Sequence, residues 1–188
     1  MTISKSISRR KANADKAAKA FQLTPQARNI VRDPYRFINK LKIRDKQGKV
    51  IRLRLTAEQN KMLKSLMKDD KGTLVLKARQ IGASTVTAAY LFWRWYSSEE
   101  PITIALLSHK LESAKQLFKM FQRFYSQLPK SLRRPLEVQN TSTLKFQDSG
   151  AEILALSSQG EGGLRSFTAN YLMISEYAFA NEPDELMA

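Results

Sequence analysis

Lys77-Ala78-Arg79-Gln80-Ile81-Gly82-Ala83-Ser84-Thr85 is the stretch on which the reading of this chain turns. Before it stands Thr73-Leu74-Val75-Leu76, a short apolar run of strand type. After it, Val86 to Trp95 is a longer apolar-rich run without Gly or Pro, of helix type. A tight loop therefore carries the chain from a strand into a helix, where backbone N–H groups and a helix N-terminus can hold an anion. Laid on the phosphate-loop pattern G-x-x-x-x-G-K-[ST], Gly82 takes the second glycine and Ser84 the hydroxyl position that faces magnesium. Ala83 stands where the lysine belongs, and Lys77 where the first glycine belongs. The lysine is thus expected to reach phosphate from the start of the loop, because its flexible stem delivers a point charge from either side. Arg79 adds a second cation. Taken alone, the loop also reads as a basic strand-to-helix turn with no ligand.

Composition narrows the setting. At 188 residues and 43% hydrophobic, the chain has room for one domain with a real core, or a domain with an appended arm. It has no apolar run of about 18 residues, so no transmembrane helix is expected. Met1 to Arg10 lacks the apolar stretch of a secretory signal. With no cysteine there is no disulfide framework, cysteine-based zinc site or thiol nucleophile. The cytoplasm is the default location. Lys and Arg outnumber Asp and Glu by 32 to 17, a net charge of +15. A field of that sign favours a polyanion, nucleic acid before an anionic membrane surface, or serves only to keep the chain in solution.

Met1 to Phe21 is a basic arm, expected to be disordered or helical from about Lys11 to Ala20. The division drawn from sequence is an arm over 1–32 and a body over 33–188. Thr24-Pro25 and Asp33-Pro34 read as helix starts. Val50 to Leu55 reads as a short strand or extended segment after a turn at Asp45 to Gly48. Thr56 followed by Gln59 reads as a capping box opening a helix with Met62, Leu63 and Leu66 on its apolar side. Ile102 to Leu107 has the near-continuous apolar character of a strand buried on both faces. Lys110 to Leu128 has helical spacing, and Leu144–Phe146 with Ile153–Leu156 form a hairpin signal about Gly150. A glycine-bearing segment, 157–163, precedes a last strand, Tyr171 to Ile174. Strand, helix, strand, helix implies right-handed crossovers in an α/β sheet, mostly parallel and flanked by helices.

That last strand runs into Ser175-Glu176. In hydrolases of the phosphate-loop type, a buried strand ends in an acidic pair, one acid holding magnesium and the other polarising the attacking water. Here Ser175 takes the first position and Glu176 the second. A glutamate paired with a nearby cation is the plainer alternative.

Taken in order, these pieces resemble the N-terminal part of the large terminase subunit of tailed bacteriophages, from about Asp33 to Ala188. Leu55-Thr56-Ala57-Glu58-Gln59 resembles the family's adenine-binding segment, so Gln59 would contact the adenine edge. Lys77 to Thr85 resembles its variant Walker A loop, in some members of which the lysine stands at the start. Gly160 to Ser166 resembles the glycine-rich segment with Leu-Arg, and Leu172 to Phe179 resembles Walker B. The resemblance implies an incomplete phosphate-loop NTPase fold that binds and hydrolyses ATP with Mg2+ to move double-stranded DNA. Lys77, Ala78, Arg79, Gln80, Ile81, Gly82, Ala83, Ser84 and Thr85 would cradle the phosphates. Ser84 and a water near Ser175 would place magnesium. Glu176 would orient the attacking water, with Arg79 and Arg165 as catalytic cations; Arg165 equally suits DNA phosphate or solvent. Non-specific contacts to DNA phosphates, a portal protein, a small terminase subunit and a homo-oligomer in the bacterial host cytoplasm are the implied partners and setting. The family's later strands and nuclease are expected beyond Walker B, so the chain is expected to be a fragment, with apolar surface exposed or covered by a partner. The alternatives are a helicase-like nucleic-acid-dependent ATPase and a non-catalytic basic module that binds nucleic acid or a protein partner.

Overall fold

The computed structural model describes residues 21–68, 73, 75, 82–108, 110–157 and 168–175. The expected arm helix, most of the strand before the phosphate loop, residues 77–81, the glycine-bearing segment with Arg165, and Glu176 onward lie outside them.

Two short helices open the described chain, each with proline in its first turn, where a missing N–H is no loss. Thr24 caps α1 (Pro25–Arg32), its Oγ1 accepting from the Ala27 N–H at 3.2 Å. Asp33 caps α2 (Pro34–Ile38), its Oδ1 accepting from the N–H groups of Tyr35 and Arg36 at 2.9 and 3.1 Å. Ala27 and Val31, one turn apart, are buried, and Trp93 Nε1 donates to the Val31 carbonyl at 2.7 Å. This apolar pair seats 25–32 on the body of the molecule. The turn at Asp45 joins β1 (Lys42–Arg44) to β2 (Val50–Arg52) as an antiparallel hairpin with Ile43 opposite Ile51. Gly48 takes φ +81° there, and Asp45 Oδ1 accepts from Gln47 and Lys49.

Helix α3 (Ala57–Lys68) leads toward the central helix α4 (Ala83–Ser97). Strand β3 (Thr103–Ser108) and helix α5 (Leu111–Gln127) follow. A 3-10 turn at Lys130–Leu132 then introduces β4 (Leu136–Gln139), whose four residues alternate apolar and polar but which was not anticipated from the sequence. β5 (Thr143–Phe146), β6 (Glu152–Ser157) and β7 (Tyr171–Ser175) complete the main sheet.

Its order is β4-β5-β6-β3-β7. The pairings of β3 with β6 and β7 are parallel, and those of β5 with β4 and β6 antiparallel. The sheet is therefore mixed, and the expectation of a mostly parallel sheet is corrected: half of the described pairings are antiparallel. The reason is local. The loops around β5 are too short for a crossover, so each strand must fold straight back on its neighbour.

The core lies between the sheet and α4 and α5. One sheet face carries Ile104, Leu106, Ile153, Ala155 and Met173 into it, together with Phe92, Trp95, Phe118, Phe121 and Phe124 from the helices. On the other face, Leu154, Leu156, Leu172 and Ile174 are not fully buried, and Leu172 is 41% exposed.

Candidate functional site

Gly82 is the hinge of the site. It has φ +77°, a conformation that L side chains rarely adopt, and it is the residue from which α4 departs. It offers no side-chain cap, and the first turn of α4 holds no acid. The first N–H groups of a helix have no intrahelical partner, and the helix dipole adds partial positive charge there. A 15-residue helix so begun, with no side chain at Gly82 to cap it, presents a cation-like end.

Gln59 lies against this hinge. A Cβ added to Gly82 would stand 2.5 Å from Gln59 Nε2. Any larger residue there would require the Gln59 amide to move. The other end of the same amide is used locally: Gln59 Oε1 accepts from the Thr56 N–H at 3.0 Å, and Gln59 N–H donates to Thr56 Oγ1 at 3.3 Å. The capping box predicted from sequence is therefore present. It fixes the Gln59 side chain so that its NH2 group meets the loop. Beside it, Glu58 is held below the usual carboxylate range, by its own backbone N–H first and by the Thr56 hydroxyl second.

The C-terminal half of α4 is tied to the opposite edge of the sheet. Trp95 Nε1 donates to the carbonyl of Ala151, just before β6, at 2.9 Å. Arg94 donates to the hydroxyl of Tyr171, the first residue of β7, and its guanidinium lies 5.0 Å from that ring's centre. These anchors hold the end of the helix at the amino edge of β6 and β7. A helix of 15 residues is about 22 Å long, and α4 lies along β3 and β7. Its first turn is thereby carried toward the carboxyl edge, where ligands of open α/β sheets bind.

That edge has a feature not anticipated as a unit. Strand register aligns the helix-covered face in three rungs: Ile104 with Ile153 and Tyr171, Leu106 with Ala155 and Met173, then Ser108 with Ser157 and Ser175. Two rungs are largely apolar and the last is entirely hydroxyl. Ser108 is 1% exposed, and among the described residues its Oγ has no hydrogen-bond partner. A buried hydroxyl without a partner is uncommon and points to a missing polar neighbour. Of these three serines only Ser175 was singled out from sequence. The signal for the others was the serine closing each apolar strand, which acquires meaning only once the register is known.

The structure thus brings Gln59 together with Gly82, at the start of the helix that carries Ala83, Ser84 and Thr85, and sets Ser175 beside Ser108 and Ser157. Lys77, Ala78, Arg79, Gln80, Ile81, Arg165 and Glu176 lie outside the described residues. Among the described residues no group of three His, Cys, Asp or Glu could hold a metal, and no helix is long and apolar enough to cross a membrane.

A mixed sheet flanked by helices, with a glycine-hinged helix start and a polar carboxyl edge, defines an α/β domain. Residues 74–188, well over half of the chain, match the family described as terminase large subunit, T4likevirus-type, N-terminal, and the chain belongs to that family. A comparison with curated proteins finds no match.

Proposed function

We propose that the chain is the ATP-binding part of a phage DNA-packaging motor, built on a phosphate-loop NTPase fold. The observation that carries this reading is the contact of Gln59 with Gly82. The residue expected at the adenine and the glycine expected at the phosphates lie 23 positions apart in sequence, and they meet at the mouth of one helix. That proximity brings an adenine-side amide and a phosphate-side helix start to one place, as a nucleotide pocket would use them.

Several features support a triphosphate as the ligand. The left-handed Gly82, with no side chain to cap α4, leaves the start of that helix open to an anion, and Lys77 and Arg79 bring charge to the same loop. Ser84 and Ser175 are the candidate hydroxyl ligands for magnesium, which when bound would neutralise phosphate charge. Ser108, beside Ser175 and unpartnered among the described residues, suits a polar ligand or its water shell at this edge. Glu176, one residue past β7, accepts a hydrogen bond from the attacking water and orients it, and Arg165 stabilises charge on the transferred group. Acceleration comes from positioning and charge stabilisation.

The test is ATP binding by calorimetry with a Lys77→Ala control, followed by turnover with Glu176→Gln in a version of the protein that hydrolyses ATP. The expected result is at least a tenfold loss of affinity for the first variant, and retained binding with turnover abolished for the second. Binding indifferent to Lys77 would favour the passive basic module, a reading consistent with the uncharged Ser175. Unchanged turnover would remove Glu176 from its role.

A further inference from the structure

Two adjoining clefts, each of about 480 Å³, run across the β1–β2 hairpin and the C-terminal end of α5. The first is lined by Ile30, Arg36, Asn39, Lys40, Arg52 and Arg54. The second shares Lys40 and Arg52 with it and continues through Lys42, Lys130 and Arg133. Together they form one groove with seven cationic side chains, all exposed, and no carboxylate in its lining among the described residues. This is a different surface from the carboxyl edge of the sheet.

Most of that charge is uncommitted. Among the described residues no ion pair involves Lys40, Lys42, Arg52, Arg54 or Lys130; Arg36 pairs with Asp33 at 3.3 Å, on the surface. Arg133 donates to the carbonyls of Ser126 and Leu128 at 2.9 and 2.8 Å, which anchors the guanidinium without cancelling its charge. Like charges crowded into a groove repel one another, and a polyanion relieves that repulsion.

The lining also says which polyanion. Single-strand binders stack bases on aromatic rings. Among the described residues no aromatic side chain lines either cleft. A groove of Lys and Arg, with Asn39, Ser126 and Gln127 beside the aliphatic Ile30, Leu128 and Pro129, is matched instead to a sugar-phosphate backbone whose bases are turned inward.

We propose that this groove holds the backbone of double-stranded DNA, without regard to sequence. The choice of DNA rests on the packaging reading; the location and the duplex form rest on the groove. Arg36, Lys40, Lys42, Arg52 and Arg54 lie before residue 74, outside the stretch that matches the family, whereas Lys130 and Arg133 lie within it.

The test is fluorescence anisotropy with a labelled mixed-sequence DNA duplex, titrated at several salt concentrations. The probes are the full chain, a Lys40→Gln/Arg52→Gln/Lys130→Gln variant, and a control in which the exposed Lys64, Lys68 and Lys119 become Gln. Circular dichroism checks that each is folded. For the groove variant, affinity at about 100 mM salt should fall at least tenfold, and the slope of log K against log salt should shrink by about 2 to 3. The control should keep both. An equal loss in the control would overturn the groove as the site and leave only net charge. So would an unchanged slope in the groove variant. Equal loss of a single-stranded probe would overturn the duplex assignment, and loss confined to a poly-glutamate probe would point to an acidic protein instead. ATP affinity of the groove variant should stay within about twofold of the parent. Failure of ATP binding in every form would sink the motor reading and leave the DNA result standing.

Discussion

Gly82 and Gln59 illustrate how much a single pair of residues can decide. The positive φ of Gly82 disfavours any L side chain by about 1–2 kcal/mol, and a Cβ there would also meet the Gln59 amide. Gly82→Ala should therefore lower stability by about 1–2 kcal/mol in urea unfolding. Gln59→Ala, which removes one half of a capping box, should cost about 1 kcal/mol. The double variant should cost less than the sum, because the steric conflict disappears. Strict additivity would mean that the two side chains do not meet in solution. Tyr96 gives a second prediction at this scale. Its hydroxyl donates to the Leu132 carbonyl, and burial pushes its pKa above the ordinary 10.0, against a smaller lowering by Arg134. The folded state thus prefers the neutral phenol. Below pH 10 the phenol is neutral whether folded or not, and its contribution is constant; above it the unfolded chain ionises first and stability is lost as pH rises. Tyr96 alone should contribute a slope of up to about 1.4 kcal/mol per pH unit. Tyr96→Phe should lower stability by about 1 kcal/mol at pH 8 and flatten the decline above pH 10. A decline equally steep in the variant would exclude Tyr96 as a source. Tyr90 and Tyr125, raised by burial in the same direction, should keep part of the slope in place.

At the scale of elements, the β5–β6 hairpin is fastened to the end of α4 by a layered cluster. Trp95 stacks on Phe146 with ring centres 3.8 Å apart, and the Arg134 guanidinium covers the other side of Phe146 at 4.2 Å. Arg134 also makes a two-pronged pair with Asp148, at 3.0 and 2.7 Å, and donates to the carbonyls of Tyr96 and Ser98 at the end of α4. A guanidinium this buried depends on its partners. Asp148→Ala should destabilise by about 2–3 kcal/mol, a figure kept below that of a fully buried pair because Asp148 is partly solvated. Adding Arg134→Met should recover part of the loss, since the stranded charge is then gone. Thermal unfolding of the two variants checks this, and a double variant weaker than Asp148→Ala would reverse the argument. The helices were more legible than this clamp. Thr24, Asp33 and Thr56 each announce a helix start through chemistry confined to three or four residues, whereas Arg134 and Phe146 carry no local mark of their packing.

For the whole molecule, charge is the dominant variable. A net +15 on 188 residues makes the compact state repel itself, and salt screens that repulsion. Raising salt from about 20 to 200 mM should therefore raise the melting temperature by a few degrees. Calorimetry checks it; a melting temperature that falls with salt would mean that surface ion pairs outweigh the repulsion. The sheet meanwhile joins an antiparallel meander, β4-β5-β6, to the parallel trio β6-β3-β7. Among the described residues, the face turned away from α4 and α5 keeps Leu172 exposed.

The sequence by itself determined the local events. These are the caps, the turns at Gly48 and Gly150, the helices at 83–97 and 111–127 and the buried strand at 103–108, because periodicity and capping act within a few residues. The excess of positive charge is equally a property of composition. Tertiary structure alone decided that the sheet is mixed, that Gln59 reaches Gly82, that three serines share one rung, and that cations from a hairpin and a distant helix end line a single groove. Strand register and long-range packing join residues tens of positions apart, and no short window of sequence contains both halves of such a contact.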